Sequence, residues 1–181
     1  MSRALTCSLA VLAVLAAAPA AWVAPEKAAV DLFEDASDLT AQLKKAVAGR
    51  VMIDELTLYR DSASLDIQDP KRKENIDRWK YRDGKLAFPP DPVKLSGDYT
   101  QADLDAAVFP LESIDFKLIP VMIEDAKARL KMPDGKVTVL TLKRGFPFND
   151  EVRWHVSATD ARHTGSVEYD LKGKKKSVWK E

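Results

Sequence analysis

Residues 152–158 read VRWHVSA and residues 166–171 read SVEYDL. In both runs every second residue is apolar, the pattern of a strand with one buried face and one face in water. A hairpin buries both apolar sets only if residue 152 lies opposite 171, 154 opposite 169 and 156 opposite 167, because a slip of one residue turns one set to solvent. This register places Arg153 opposite Asp170 and His155 opposite Glu168 on the polar face.

A helix and two further strands flank this hairpin. Residues 119–130 place apolar side chains on one helical face, with Pro120 in the first turn, where its missing N–H is tolerated. Asp125 and Arg129 form a favourable charge pair on the other face. We expect Pro133-Asp134-Gly135 to end the helix, and strands over 136–143 and 177–179. The apolar set is Ile119, Met122, Ile123, Ala126 and Leu130.

The same order of elements occurs earlier in the chain. Residues 38–47 have helical spacing, with Ser37 or Asp38 as the predicted N-cap and Gly49 placed to stop the helix. Short strands follow around 56–58, 65–67, 76–81 and 86–88. Each stretch has an apolar face that it cannot bury alone, which predicts an α+β fold of two tandem helix-plus-antiparallel-sheet units packed together.

The predicted units cover 21–92 and 117–181. Both contain Leu-Thr-Leu, at 56–58 and at 140–142. The run Phe88-Pro89-Pro90-Asp91-Pro92 breaks regular structure and marks the boundary of the first unit. Residues 93–116 are expected to be a connector, in which Thr100 and Asp103 cap a short helix that runs to Val108.

The first twenty residues have the features of a secretory signal peptide. Arg3 precedes an apolar stretch from Leu5 to Ala18, and Ala18-Pro19-Ala20 matches the small-x-small cleavage pattern. We predict a cut after Ala20 and a periplasmic or secreted protein without a stable membrane span; the alternative is an uncleaved anchor. Cys7 is the only cysteine, so the processed chain would offer no thiol nucleophile or cysteine metal site.

The charge balance argues against nucleic acid as a partner. The chain has 28 Lys and Arg against 28 Asp and Glu, and loss of Arg3 with the signal peptide leaves 27 against 28, a side-chain charge of −1. The middle is acidic and the last residues are basic. We interpret both as solvated faces of the protein. The lysines at the end have a further explanation, because lysines on an edge strand block unwanted strand pairing. The basic residues are Lys172, Lys174, Lys175, Lys176 and Lys180.

The second unit resembles the PepSY-like domains of exported bacterial proteins. Three segments carry this likeness: Gly135-Lys136-Val137 leading a strand, the middle strand 152–156, and the closing strand 167–174 with Asp170-x-x-Gly173-Lys174. The first unit has Gly49-Arg50-Val51 where the family pattern has Gly-Lys-Val. The resemblance implies a helix-plus-sheet domain that binds rather than catalyses, with peptidase inhibition as the usual proposal for the family.

The paired layout is also similar to that of the beta-lactamase inhibitory proteins. These are exported proteins of comparable length that bind their target on a concave sheet. They carry disulfides, which the predicted processed chain lacks. This similarity likewise implies binding.

The sequence offers one set of candidate metal ligands and no catalytic signature. His155, His163, Asp160 and Glu168 are suitable ligand types for zinc, but we favour His155 as a surface residue with an acidic cross-strand neighbour. The chain has neither a GxSxG nucleophile motif nor a phosphate-binding glycine loop. We therefore expect no enzyme activity, no cofactor and no metal.

The loop 145–150, GFPFND, is the most suggestive feature for binding. Two phenylalanines are unusual at the tip of a hairpin, where Asn, Gly and Asp are common. Phe146 and Phe148 can fold back over the end of the sheet, which we favour, or stay exposed as an aromatic anchor for a partner. The candidate binding residues are Phe146, Phe148, Arg153 and His155.

The predicted function is a non-catalytic periplasmic or secreted protein- or peptide-binding module with a partner in the cell envelope, and an inhibitor-like role is one form that such binding can take. One alternative is a small envelope enzyme or metal-binding protein that uses His155 and its neighbouring carboxylates. Another is an accessory factor in envelope assembly or stress. The oligomeric state stays open.

Overall fold

The computed structural model of the chain describes residues 30–95, 97, 99–145 and 147–181. Within them three α-helices accompany one antiparallel sheet of ten strands, which confirms the α+β class. The predicted signal peptide, its cut after Ala20 and Phe146 lie outside the described residues.

The helices are α1 (Ser37–Ala46), α2 (Gln101–Ala107) and α3 (Ile119–Leu130), with short 3-10 turns at Leu111–Ser113 and Phe116–Leu118. The first strands are β1 (Met52–Leu58), β2 (Ser62–Gln68), β3 (Ile76–Arg82), β4 (Lys85–Leu86), β5 (Asp91–Pro92) and β6 (Phe109–Pro110). The later strands are β7 (Lys136–Arg144), β8 (Val152–Thr159), β9 (Thr164–Asp170) and β10 (Lys175–Lys180). Their order in the sheet is β10-β9-β8-β7-β1-β2-β3-β4, with β5 on β3 and β6 on β1.

The two Leu-Thr-Leu runs pair with each other where β1 meets β7. Thr57 lies opposite Thr141, flanked by the pairs Leu56–Leu142 and Leu58–Leu140. All four leucines are fully buried. The earlier and later stretches therefore share one continuous sheet and core.

The hairpin register predicted from the sequence is confirmed. Trp154 lies opposite Tyr169 and Val156 opposite Val167, and their side chains are buried. The ladder begins at Arg153–Asp170, because β9 ends at Asp170 before Leu171 can pair.

Arg153 and Asp170 lie opposite each other as predicted, but among the described side chains they do not form an ion pair with each other. Arg153 binds Glu151 and Glu168 instead, and the Asp170 carboxylate accepts the backbone N–H groups of Lys172 and Lys174. Short acidic side chains commonly accept backbone N–H groups in turns, and here that interaction takes the Asp170 carboxylate away from Arg153.

The core face of the sheet is covered by α1 and α3. All five apolar residues predicted for α3 are buried, and Asp125 Oδ2 lies 2.6 Å from Arg129 Nε. The helix ends at Leu130, before the predicted Pro133-Asp134-Gly135, because Lys131 adopts the left-handed conformation at φ 54°.

The cap predicted for α2 is confirmed, whereas the cap predicted for α1 is wrong. α1 starts at Ser37, which is not its cap, and the Asp35 carboxylate accepts the N–H of Ser37 at 2.8 Å. α2 has the predicted capping box between Thr100 and Asp103. The expected break at 88–92 is only partial, since β5 joins the sheet beside β3.

Candidate functional site

The sheet face opposite α1 and α3, here called the open face, carries polar residues at its centre. One row runs across β1, β7, β8 and β9 as Thr57, Thr141, His155 and Glu168. The next row has Glu55, Lys143, Arg153 and Asp170. Four adjacent strands span about 14 Å, so these rows form a surface wide enough to contact a partner segment.

The loop between β7 and β8 borders this surface. The Gly145 carbonyl accepts the N–H groups of Phe148 at 2.9 Å and Asn149 at 3.0 Å, and the Asn149 side chain accepts the N–H of Glu151. The resulting tight turn leaves the Phe148 side chain 92% exposed. The favoured fold-back over the sheet is therefore wrong for Phe148, because the turn directs its ring into solvent.

Arg144 fixes the base of this loop against α2. Its guanidinium donates to the carbonyls of Ala107 (3.2 Å), Val108 (3.4 Å) and Asp150. A cation at the carboxyl end of a helix is electrostatically favourable. The sequence did not single out Arg144, because a lone arginine at a strand end does not reveal which distant carbonyls it will meet.

A groove of about 360 Å³ lies on one side of the loop and is here called the sheet groove. It brings together two of the predicted site residues, Arg153 and His155. Its other lining residues are Glu55, Thr141, Lys143, Gly145, Asn149 and Glu168.

A second groove of about 450 Å³, the connector groove, lies on the side of the loop where the connector crosses the open face. It shares Glu55, Lys143 and Gly145 with the sheet groove and adds Phe148. Leu95, Tyr99 and Leu104 supply apolar surface from the connector. The two grooves therefore adjoin at Glu55, Lys143 and Gly145, and Phe148 lines the connector groove.

Burial raises the pKa of the Asp54 carboxyl in the connector groove, with further increases from the charges of Asp66 and Glu55. Lys143 acts in the opposite direction. The lining of this groove thus includes a carboxyl whose ionised form is disfavoured by burial.

Arg153 is held in a charged network. It lies 2.9 Å from Glu151 and 3.1 Å from Glu168, and these hydrogen bonds raise the pKa of the guanidinium. Glu151 also pairs with Lys176, and Glu168 accepts a hydrogen bond from Ser177. Hydrogen bonds from Lys176 and Arg153 in turn lower the pKa of Glu151. Arg153 is therefore a preoriented part of the open face.

The two histidines do not converge. His155 lies opposite Glu168 within the strands, whereas His163 lies in the turn beyond them, with Nδ1 3.3 Å from the Asp160 carboxylate. Hydrogen bonds from the N–H groups of Arg162 and His163 lower the pKa of Asp160. Among the described residues, no group of three or more His, Cys, Asp or Glu is arranged to hold a metal ion. The four candidate zinc ligands therefore form no common site.

In the part of the chain that the structure describes, every helix is too short or too polar to span a membrane.

Comparisons with known proteins provide a structural match. No family model and no curated relative matches the sequence. The fold is similar to that of a "putative lipoprotein" from Clostridium difficile 630, with a TM-score of 0.54 and 18% sequence identity. The match covers 87% of this chain and 97% of that protein. At this identity the similarity extends to the fold alone.

Proposed function

We propose that this protein is a non-catalytic binding module of the cell envelope that holds a protein or peptide against the open face, with Phe148 as its anchor. The observation that carries the proposal is the 92% exposed Phe148 ring, which lines the connector groove next to the adjoining sheet groove. A large apolar side chain in water is unfavourable by itself, and such residues mark protein contacts when polar groups surround them.

The surroundings of Phe148 support this function. Arg144 holds the loop to α2, so the anchor starts from a fixed base and loses little conformational freedom on binding. Leu95 and Tyr99 extend the apolar surface, while Lys143, Arg153 and Glu168 provide charged groups around it. An apolar centre with a polar rim is the usual composition of a protein interface.

The envelope location rests on two observations. The sequence begins with the features of a signal peptide. The solved structure that shares the fold is described as that of a "putative lipoprotein", and lipoproteins are envelope proteins. A PepSY-like family relationship and an inhibitor-like role remain compatible with this proposal.

Site-specific photocrosslinking tests the anchor. A photoreactive phenylalanine analogue at position 148 should crosslink one partner in an envelope extract, whereas the same analogue at position 88 should not. Phe88 is a matched control, because it is also a strongly exposed phenylalanine but lies beside Trp79, away from the loop.

A substitution tests its energetic role. Phe148→Ser should weaken capture of that partner by about thirtyfold or more, since an interface anchor contributes about 2 kcal/mol or more to binding. The melting temperature should stay nearly unchanged, because an exposed side chain contributes little to folding. Phe88→Ser should leave capture unchanged. Equal capture by all three proteins, or recovery of the partner in cleaved form, would refute the proposal.

A further inference from the structure

Strand β10 ends the sheet on the side away from β4. All six of its residues are exposed, including Val178 at 44% and Trp179 at 53%. Within the part of the chain that the structure describes, β10 pairs with β9 alone. One row of its backbone groups is consequently available for another strand.

The hydrogen-bond pattern identifies that row. The N–H of Glu181 donates to the Thr164 carbonyl at 2.9 Å, so position 181 points its backbone groups at β9. In an antiparallel ladder these groups alternate direction along the strand. Trp179 therefore also faces β9, and the N–H and C=O groups of Val178 and Lys180 point outward.

The side chains along this edge follow a pattern of charged, apolar, charged. Lys175, Val178 and Lys180 lie opposite Tyr169, Val167 and Gly165, three successive positions on one face of β9. Tyr169 and Val167 belong to the core, so the three β10 side chains share the helix side of the sheet. The bulge between Lys175 and Ser177 brings Lys175 into this row.

Charge selects the strand that can pair here. A second copy of β10 would place lysines against lysines, and like charges on adjacent strands are destabilising. The Lys180 ammonium donates to the Leu130 carbonyl, and Lys172 and Lys174 add positive charge in the preceding turn. An acidic strand would be attracted by the same groups that repel a copy.

We propose that β10 is a docking edge for an extended acidic segment of a partner protein, which adds to the sheet as a further strand. In this segment an apolar residue has an acidic residue two positions before it and another two positions after it, so that all three side chains share one face. The acidic side chains then meet Lys175 and Lys180, and the apolar side chain meets Val178. Backbone hydrogen bonds hold the segment and its side chains select it, as in strand addition generally. The row Lys175, Val178 and Lys180 lies on the helix side of the sheet, whereas the proposed anchor Phe148 borders the open face, so neither proposal depends on the other.

Hydrogen exchange by NMR on the full chain tests the free edge. In the isolated protein the amides of Val178 and Lys180 should exchange fast, and those of Trp179 and Glu181 slowly. A short peptide with the sequence pattern Glu-Thr-Val-Thr-Glu, which places both glutamates and the valine on one face, should slow the first pair. A peptide with lysine in place of glutamate should not.

Two substitutions separate charge from backbone pairing. Lys175→Glu should weaken binding of the glutamate–valine peptide by up to about fivefold. Lys71→Glu, with the same charge change at an exposed loop position, should leave it unchanged. Val178→Pro should weaken it by about tenfold through loss of one outward N–H, and more than Val178→Ala does. Slow exchange of the β8 and β9 amides verifies that the sheet is intact in each variant. If the proline variant loses this protection, the Lys175→Glu result alone tests the proposal.

Several results would overturn the proposal. The first is slow exchange of the Val178 and Lys180 amides in the isolated protein. The second is protection that appears only as the protein concentration rises, which indicates pairing with a second copy. The third is binding of the lysine peptide as tight as that of the glutamate peptide. Phe148→Ser should leave peptide binding unchanged, because it alters the open-face site. If that variant abolishes peptide binding, the peptide occupies the open face and β10 is not its site.

Discussion

Asp54 is a partly buried carboxyl whose environment disfavours its charged form. It lies beside Glu55 and close enough to Asp66 for that charge to raise the pKa of its carboxyl, with burial as the main cause. A carboxyl whose pKa is higher in the folded chain destabilises the fold where it is ionised in both states. Its charge therefore opposes folding at neutral pH.

We expect Asp54→Asn to raise the melting temperature at pH 7. The gain should shrink as the pH falls through the raised pKa of Asp54, and vanish below the ordinary value of 3.8, where the carboxyl is neutral in both states. Thermal melts at pH 7 and pH 3 would measure this. Asp61→Asn, at an exposed position, is the control. A lower melting temperature for the Asp54→Asn variant at pH 7 would contradict the assignment.

Two tyrosines join the sheet to its helices in the same way. Tyr81 on β3 donates to Asp38 on α1 at 2.7 Å, and Tyr169 on β9 donates to Asp125 on α3 at 2.9 Å. Burial, assisted by the hydrogen bond to Asp38, raises the pKa of Tyr81 to about 12, and burial likewise raises that of Tyr169. Each aspartate also binds a side chain one helical turn later, Gln42 or Arg129. The phenols thus stay protonated donors over the physiological pH range.

At the scale of elements, α2 and the β7–β8 loop act together. The capping box between Thr100 and Asp103 starts the helix, and Gln68 on β2 donates to Asp105 on its surface at 3.0 Å. Arg144 joins the other end of α2 to the loop. The connector therefore lines the candidate site and also joins the earlier helix and strands to the later ones.

Arg144→Met should separate the loop from α2. The change keeps an unbranched side chain but removes three donors, so we expect a loss of about 1–3 kcal/mol in the free energy of unfolding. Partner capture should weaken further, because Phe148 would no longer have a fixed base. Chemical denaturation and the crosslinking assay measure the two effects. Arg162→Met, in the turn after β8, should change neither; unaltered capture by the Arg144→Met variant would show that the loop needs no support.

At the scale of the whole molecule, the β1–β7 pairing determines how the chain unfolds. The sheet is continuous across this junction, and the core includes residues from both stretches. Loss of packing where β1 meets β7 should therefore destabilise the strands on both sides of the junction together.

We expect Leu142→Ala to destabilise the whole protein by about 2–5 kcal/mol, the usual cost of truncating a buried leucine. Exchange of amides in β2 and β9 should accelerate together, because one cooperative unit contains both strands. Denaturant titration and NMR hydrogen exchange measure these quantities. Leu95→Ala, on the partly exposed connector, should have little effect. Acceleration confined to one strand would show that the two stretches unfold separately.

The sequence by itself determined the elements whose signals are local. Alternation in 152–158 and 166–171 was sufficient for the β8–β9 register, since only one pairing buries both apolar sets. Helical spacing likewise identified the buried face of α3, and the Thr100–Asp103 pair its cap on α2. Arg153 and His155 could be placed on the polar face for the same reason.

Only the tertiary structure decided which distant elements meet. The matching triplets at 56–58 and 140–142 were visible in the sequence, but their direct pairing joins residues more than eighty positions apart. The partners of Arg153, the attachment of Arg144 to α2 and the exposure of Phe148 depend on where other segments lie. Periodicity reports which face of an element is buried; it contains no information about the neighbour that buries it or leaves it open.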